Sequence, residues 1–592
     1  MLRDYADKQN IGNGDYLQNS LFAFDFGLED VANNNQAGRF TIPGRRYETR
    51  PVKRSIDEAS AWFILDIHSG SVLKQPATRR EEGLPANATI PIHQDPSGGD
   101  MLPTRLDVIE QYILNQVNKS NSLSNSTRVD SSNSTRPHSF IEKRDALSCS
   151  SGIPCVDGSC CNKAGKCGFG ADHCGADVCV SQCGAKATCG RDSEGGNKKC
   201  GLNICCSYYG WCGTTETYCK DPEPQFGKTP CQKGFGSCEV LASPACSPDG
   251  GSSGGRSVAY YQSWNSRDRL CNQVLPHQID TRGLTHLLFA FLYFDPSSFE
   301  VKFAHPGDES LVQQFVALKT PTLQTWVAVG GWAFNDPGST LSAFSNMVST
   351  QQNRARFISS LVRFMERFDF QGADIDWEYP SATKRGGKSA DAANLVLLMK
   401  ELRVAFGTKY GLSIVLAPDY TYLSGSDPKA MEPYVDWFGF MSYDLHGIWD
   451  EDIPALGKKV RPQTNISEIN TGLTPLWFAG INPAKVNLGL AYYGRTFTLA
   501  DSGCSGVGCG FRSAGKAGKC TNFRGVLSNL EIQDLIREEG LTPTLLSDAA
   551  VKQIVYHGNQ WVGYDDEETL AIKRRYANSL CLGGTSKSHL LL

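Results

Sequence analysis

The stretch FQGADIDWEYP, residues 370–380, sets Asp374, Asp376 and Glu378 at alternate positions. In an extended strand this spacing turns all three carboxyls to one face, and Ala373, Ile375 and Trp377 to the other. Apolar flanks of that kind are buried, so the acidic face is expected to be enclosed as well. Enclosed carboxyls cannot all ionise cheaply.

On both sides of this stretch, short apolar runs alternate with helical patterns. RSVAYYQ, THLLFAFLYF, TWVAVGGW, LSIVLAP, WFGFMSYD and KVNLGLAYYG read as further strands. Phe357, Ile358, Leu361, Val362, Met365 and Phe368 recur at helical spacing before the acidic strand, and Leu395, Leu398, Leu402 and Phe406 after it. Repeated strand–helix units imply a parallel sheet covered on both faces. The expected fold class is therefore α/β, a (β/α)8 TIM barrel over residues 257–585, with its chemistry at the carboxyl ends of the strands.

The chain has 592 residues, room for a large barrel and smaller modules. A net charge of −4 with scattered Lys and Arg excludes the basic footprint of a nucleic-acid binder. No run of 18 apolar residues suggests a membrane span. Of 22 cysteines, 17 lie between Cys149 and Cys246, a density that reads as disulfides made in an oxidising compartment rather than as zinc sites. Sequons at Asn87, Asn118, Asn125, Asn133 and Asn465 agree with secretion, although the first thirty residues carry no readable signal. The expected location is extracellular or cell wall, and the expected state a monomer.

Residues 1–148 read as a polar pro-region and Asn/Ser-rich linker, with hints of packed elements at 57–67 and 105–117 and a dibasic Lys143–Arg144 near its end. Two cysteine-rich repeats follow, at 149–183 and 184–246: CCNKAGKCGFGADHC (160–174) aligns without gaps on CCSYYGWCGTTETYC (205–219). The Gly/Ser-rich segment 247–256 reads as a flexible hinge into the barrel. Within the barrel region, residues 498–562 read as an insertion.

GADIDWEYP, WVAVGGW (326–332), FMSYD (440–444) and YYGRTF (492–497), in that order, resemble the family 18 glycoside hydrolases, the chitinases. With hevein-like modules ahead of the barrel, the arrangement is similar to fungal chitinases related to the yeast killer-toxin α-subunit. The resemblance implies hydrolysis of β-1,4-linked N-acetylglucosamine polymers with no metal and no cofactor. Glu378 would be the proton donor. The substrate's own acetamido carbonyl would attack, as in substrate-assisted members of such families. Asp376 would orient the acetamido N–H, Tyr443 would bond its oxygen, and Asp374 would share a proton with Asp376. Tyr260, Trp332, Met441, Asp444, Tyr493, Arg495 and Trp561 are candidate sugar contacts. The insertion resembles the α+β segment that deepens the cleft of processive members.

The second repeat resembles hevein-type chitin-binding domains, which carries over Ser207, Tyr209, Trp211 and Tyr218 as sugar contacts and Cys189, Cys200, Cys205, Cys206, Cys212 and Cys219 as disulfide cysteines. The first repeat has Asn162, Ala164, Lys166 and His173 at the contact positions and is expected to be a degenerate spacer. Three departures from the family pattern stand out. Gln371 replaces its first Asp and is expected to tune Asp374. Ala328 replaces a Ser in the glycine strand. After Thr585 the chain reads SKSHLLL, without a floor Trp, so the eighth strand is expected to be truncated and 586–592 an aberrant tail. The alternative to an enzyme is then a chitin-binding lectin or toxin-delivery subunit with an inactive barrel. An N-glycan endoglycosidase of the same family is a third reading that leaves the binding module without a purpose.

Overall fold

The computed structural model describes residues 39–42, 45–52, 61–66 and 149–588, apart from 156–157, 221–230 and 454. Within the first unit, Arg39–Ile42, Arg45–Val52 and Ala61–Asp66 form a three-stranded antiparallel sheet. The expected elements at 105–117, the dibasic pair and four of the five sequons lie outside the described residues.

The seven runs read as strands are strands: β1 Arg256–Gln262, β2 His286–Phe294, β3 Gln324–Gly330, β4 Gly372–Asp376, β5 Gly411–Leu416, β6 Trp437–Phe440 and β7 Val486–Ala491. They pair in parallel in chain order. The expected truncation is corrected here. Gly584–Ser588 forms β8, parallel to β7 on one side and to β1 on the other, and this closes the barrel. Residues 586–588 thus belong to the barrel rather than to an aberrant tail, and 589–592 lie outside the described residues. SKS lacks the β-branched residues by which strands are recognised, but ladder hydrogen bonds come from the backbone, and a strand flanked on both sides needs little from its side chains.

The barrel interior is plugged at its amino end by Trp326 and Trp437, stacked with ring centroids 4.3 Å apart. Gly372 and Gly411 make room for them: a Cβ at either position would lie within 2.4 Å of the Trp326 ring. This explains the glycine that opens GADIDWE. Outside, helices α1 (Gln351–Phe368) and α2 (Asp391–Phe406) flank β4 and bury the apolar residues whose spacing announced them, Val362 being half-buried. Thr350 caps α1 by accepting from the Asn353 N–H. A third helix, α3 (Ile466–Phe478), follows β6, and Asn465, the one described sequon, is its N-cap, accepting from Ser467 N–H.

The insertion is an antiparallel sheet of six strands, from Tyr493–Leu499 to Gln560–Tyr564, with one helix, Asn529–Glu539. It starts and ends slightly outside 498–562. Cys271–Cys520 ties it to the loop after β1.

All 22 cysteines are described, and they pair in eleven disulfides. The two repeats share one connectivity. Cys149–Cys161, Cys155–Cys167, Cys160–Cys174 and Cys179–Cys183 in the first match Cys189–Cys206, Cys200–Cys212, Cys205–Cys219 and Cys231–Cys238 in the second. No described helix is long and apolar enough to cross a membrane.

The flexible hinge expected at 247–256 is also corrected. Cys246–Cys581 staples its start to the turn that follows the last described helix, Glu567–Ser579. Ser253 Oγ donates to the Cys581 and Leu582 carbonyls at 2.7 and 2.9 Å, Ser252 Oγ bonds the Gly583 carbonyl, and Arg575 pairs with Asp249. Serines that would leave a linker loose in solution here supply short donors to the turn that leads into β8. The second repeat is docked as well. Tyr420 Oη donates to the Gly201 carbonyl at 3.3 Å, and Leu202 and Phe478 join its cysteine core to the barrel's flank.

Candidate active site

At the carboxyl end of β4 the three acids stand in three environments. Asp374 is fully buried. It accepts from Ser413 Oγ at 2.6 Å and from Tyr260 Oη at 2.9 Å. Burial pushes its carboxyl up to about 6 against those two bonds. Asp376 is 5 % exposed, and its Oδ1 has no hydrogen-bond partner among the described residues. Burial, then the charges of Glu378 and Asp374, raise it well above the ordinary carboxyl range. Glu378, 9 % exposed, is pushed up to about 7, chiefly by burial; a bond from Tyr379 and the charge of Arg385 oppose this, while Asp444 and Asp336 add to it. A carboxyl held there is protonated near neutrality and able to donate.

Asp374 and Asp376 interact through charge, while Ser413 and Tyr260 hold the Asp374 carboxyl from the sides. Gln371, expected to tune Asp374, does not reach it: its Oε1 accepts from Thr325 N–H at 3.0 Å at the base of β3. Ala328 does sit beside Asp374 in the β3–β4 register, so the hydroxyl absent there is supplied from the other neighbour, Ser413 of β5.

The other wall follows β6 and β7. Arg495 grips Asp444 with two nitrogens, at 2.8 and 2.7 Å, and Tyr493 Oη donates to the same carboxylate at 2.7 Å. The Arg495 guanidinium lies 4.9 Å over the ring of Trp449, an exposed aromatic in the loop after β6. Tyr443, half-buried, lies within electrostatic range of Asp376, Glu378 and Asp444, and burial above all raises its phenol well above 10. Behind this wall His446 bridges Asp450 at 2.8 Å and Glu468 at 3.0 Å. Burial works against its charge, but the two carboxylates prevail and hold it up to about 9, which fixes the loop to α3.

Trp332, a candidate sugar contact, keeps 51 % of its surface exposed at the end of β3. Met441 is buried at the strand end. Trp561 does not line the cleft: it is 0 % exposed, packed on Phe497, Phe511 and Val460 in the insertion's own core, with its Nε1 donating to Gln553. Ser413, Tyr379, Arg385 and Trp449 belong to the site and escaped sequence reading. Only Ser413, a hydroxyl inside an apolar strand run at the register of Asp374, carried a readable signal.

In the second repeat, Tyr209 and Trp211 are half-buried. Ser207 is buried, its Oγ accepting from Trp211 N–H at 3.1 Å. Tyr218 is only 8 % exposed, its ring covering Gly213 where a Cβ would lie 2.3 Å away. His173 covers Gly168 in the same way in the first repeat, so this position first serves the module's fold. Phe169 of the first repeat rests 4.7 Å from the Trp211 ring.

The profile of the family "Glycosyl hydrolases family 18" matches residues 256–587, and that of "Chitin recognition protein" matches 188–238. "Secreted chitinase LysM12" of Penicillium expansum is 29% identical over 404 residues, 65% of this chain and 26% of that protein. "Killer toxin subunits alpha/beta" of Kluyveromyces lactis is 31% identical over 361 residues, 60% of this chain and 30% of that one. The chain thus spans less than a third of the length of these two relatives. Among solved structures, the Group II chitinase catalytic domain 2 of Ostrinia furnacalis superposes with a TM-score of 0.52 at 25% identity, covering 56% of this chain and 89% of that one.

Proposed function

The chain belongs to the glycosyl hydrolases family 18, and from that premise we propose that it is a secreted chitinase, cleaving β-1,4 linkages between N-acetylglucosamine units with retention and acting as a monomer. Relatives described as chitinases support the substrate class, and the match of the second repeat to the chitin recognition family supports a chitin-binding surface there. Eleven disulfides support an oxidising, extracellular setting.

The observation that carries the mechanism is the unpartnered Asp376 Oδ1, buried beside a protonated Glu378. A buried carboxyl oxygen without a hydrogen-bond partner is costly unless a ligand supplies one. A sugar's acetamido N–H does so. With that N–H held, the acetamido carbonyl is aimed at the anomeric carbon. Glu378 protonates the leaving oxygen and the carbonyl oxygen closes an oxazolinium ring; the cation that develops beside Asp376 drives the proton of that carboxyl toward Asp374, and the charge left on Asp376 stabilises the cation. Glu378, now a carboxylate, takes a proton from the water that opens the ring from the same face. Tyr443 bonds the acetamido oxygen. Asp374, held by Tyr260 and Ser413, is the carboxylate beneath Asp376 that takes up this proton.

The alternative of an inactive lectin or toxin-delivery subunit rested on the missing eighth strand, and a closed β8 removes that ground. Glu378→Gln and Asp376→Asn, assayed on soluble chito-oligosaccharides, test the proposal. Each should lose roughly 10²–10⁴-fold in turnover with thermal melting retained. Turnover equal to the parent in Glu378→Gln would overturn it.

A further inference from the structure

Arg385 belongs to none of the motifs read above, yet it joins two loops around the acid. It ends a single turn, Thr383–Arg385, in the loop after β4, and is buried. Its Nε donates to the Glu378 carbonyl at 3.0 Å, and one Nη donates to Asp336 Oδ1 at 2.9 Å. The other Nη bonds the Trp332 carbonyl. Its guanidinium carbon lies 3.7 Å from the centroid of the Trp332 ring. All three nitrogens and the flat face are therefore engaged at once, on Glu378 of one loop and on Trp332 and Asp336 of the other.

We propose that Arg385 is a positioning residue that locks the Trp332 sugar platform and the Glu378 backbone into one frame, so that a sugar stacked on Trp332 lies at a set distance from the acid. This rests on the chitinase reading above. The physical reason is the shape of the group. A planar guanidinium can stack under an indole and still direct three N–H donors in its own plane, whereas an ammonium is a point charge that can satisfy one of these demands at a time. Half of the Trp332 surface remains exposed for a ligand while Arg385 takes part of the rest. The loop geometry thus depends on the fork, while the electrostatics of the acid depend on the charge.

Those two roles separate experimentally. The groups facing Glu378 are Asp376 on β4, Tyr379 and Arg385 after it, Asp336 after β3, and Tyr443 and Asp444 after β6. Arg385 is the cation among them, so without it the neighbouring acids hold the Glu378 proton to higher pH.

Arg385→Lys and Arg385→Met are compared with the parent on soluble chito-oligosaccharides, with melting curves recorded for each. Arg385→Lys should raise KM by roughly two- to ten-fold, the range of a lost cation–π contact, and leave the alkaline limb of the pH–rate profile in place. Arg385→Met should raise KM similarly and move that limb upward. In a Trp332→Ala background, Arg385→Lys should add no further rise in KM. An unmoved limb in Arg385→Met overturns the electrostatic part, and KM factors that multiply in the double variant overturn the platform part. Oligosaccharide affinity measured by calorimetry in the Glu378→Gln background needs no turnover. A weakened Kd on adding Arg385→Lys supports the platform role even if hydrolysis fails, and an unchanged Kd overturns it.

Discussion

The catalytic strand and the second cysteine-rich repeat both present side chains for a sugar polymer, and they hold them by opposite means. Asp374, Asp376 and Glu378 stand on a strand whose other face lies in the large core of the barrel. That burial is itself the chemistry, because it lifts the carboxyls out of their ordinary range. The repeat has almost no core beyond its cystines, Ile204 and Tyr218, plus Phe478 lent by the barrel. Disulfides replace the missing apolar mass, and aromatic rings that a larger domain would swallow stay at the surface. A site built from depth thus depends on packing and pH, and a site built from exposure depends on covalent staples.

The sharpest way to break this comparison is a change in one region that moves the readout of the other. Glu378→Gln should abolish nearly all hydrolysis, by several orders of magnitude, while pull-down on insoluble chitin stays at the parent level. Loss of both would mean that the cleft, and not the repeat, retains the polymer.

The pH dependence follows next in size. The donor must carry its proton, and Glu378 holds one up to about 7. The rate on soluble substrate should fall about tenfold per pH unit above that point, with chitin binding flat over the same range. Stability should change with the same sign. A carboxyl whose folded pKa is raised favours the fold below its unfolded pKa, and this contribution is lost as pH rises toward 7 for Glu378 and about 6 for Asp374. The Glu378→Gln variant should therefore show a flatter melting temperature between pH 4 and 8.

The converse change removes a staple. Cys200→Ser with Cys212→Ser opens a disulfide closing 12 residues and should cost the repeat about 2–4 kcal/mol, enough to lose most chitin binding. Hydrolysis of soluble oligosaccharides should continue. A parallel loss of turnover would show that docking through Gly201, Leu202 and Phe478 supports the barrel as well.

Trp211→Ala should weaken binding to insoluble chitin by roughly 1–3 kcal/mol, with stacking of aromatic rings on bases as the guide. The smallest effects compare the repeats themselves. Lys166→Ala, at the position matching Trp211, should change nothing measurable. Phe169→Ala removes a ring 4.7 Å from Trp211 and should cost about 0.5–1.5 kcal/mol of binding. A loss from Lys166→Ala equal to that from Trp211→Ala would end the reading of the first repeat as a spacer.

Local spacing in the sequence determined most of the barrel and the centre of the site. Alternation at 373–378 announced the acidic strand, and the three- and four-residue recurrence at 357–368 and 395–406 announced the helices, because side-chain periodicity is a property of neighbours along the chain. The gapless repeat of cysteines announced two like modules. What remained hidden depends on partners far away. Cys246 meets Cys581 across 335 residues, and that staple, with the Ser252 and Ser253 bonds, turns a Gly/Ser hinge into a fixed strap. SKS becomes β8 because the backbones of β1 and β7 await it on both sides, which its own side chains do not reveal. Trp561 is an aromatic in a cleft-forming insertion by sequence and a core residue by packing. Arg385 is one arginine among the surface charges of a loop until the ends of β3 and β4 come together around it. Local pattern specifies elements, and only the closed fold specifies which groups share a dielectric, a hydrogen bond or a ring face.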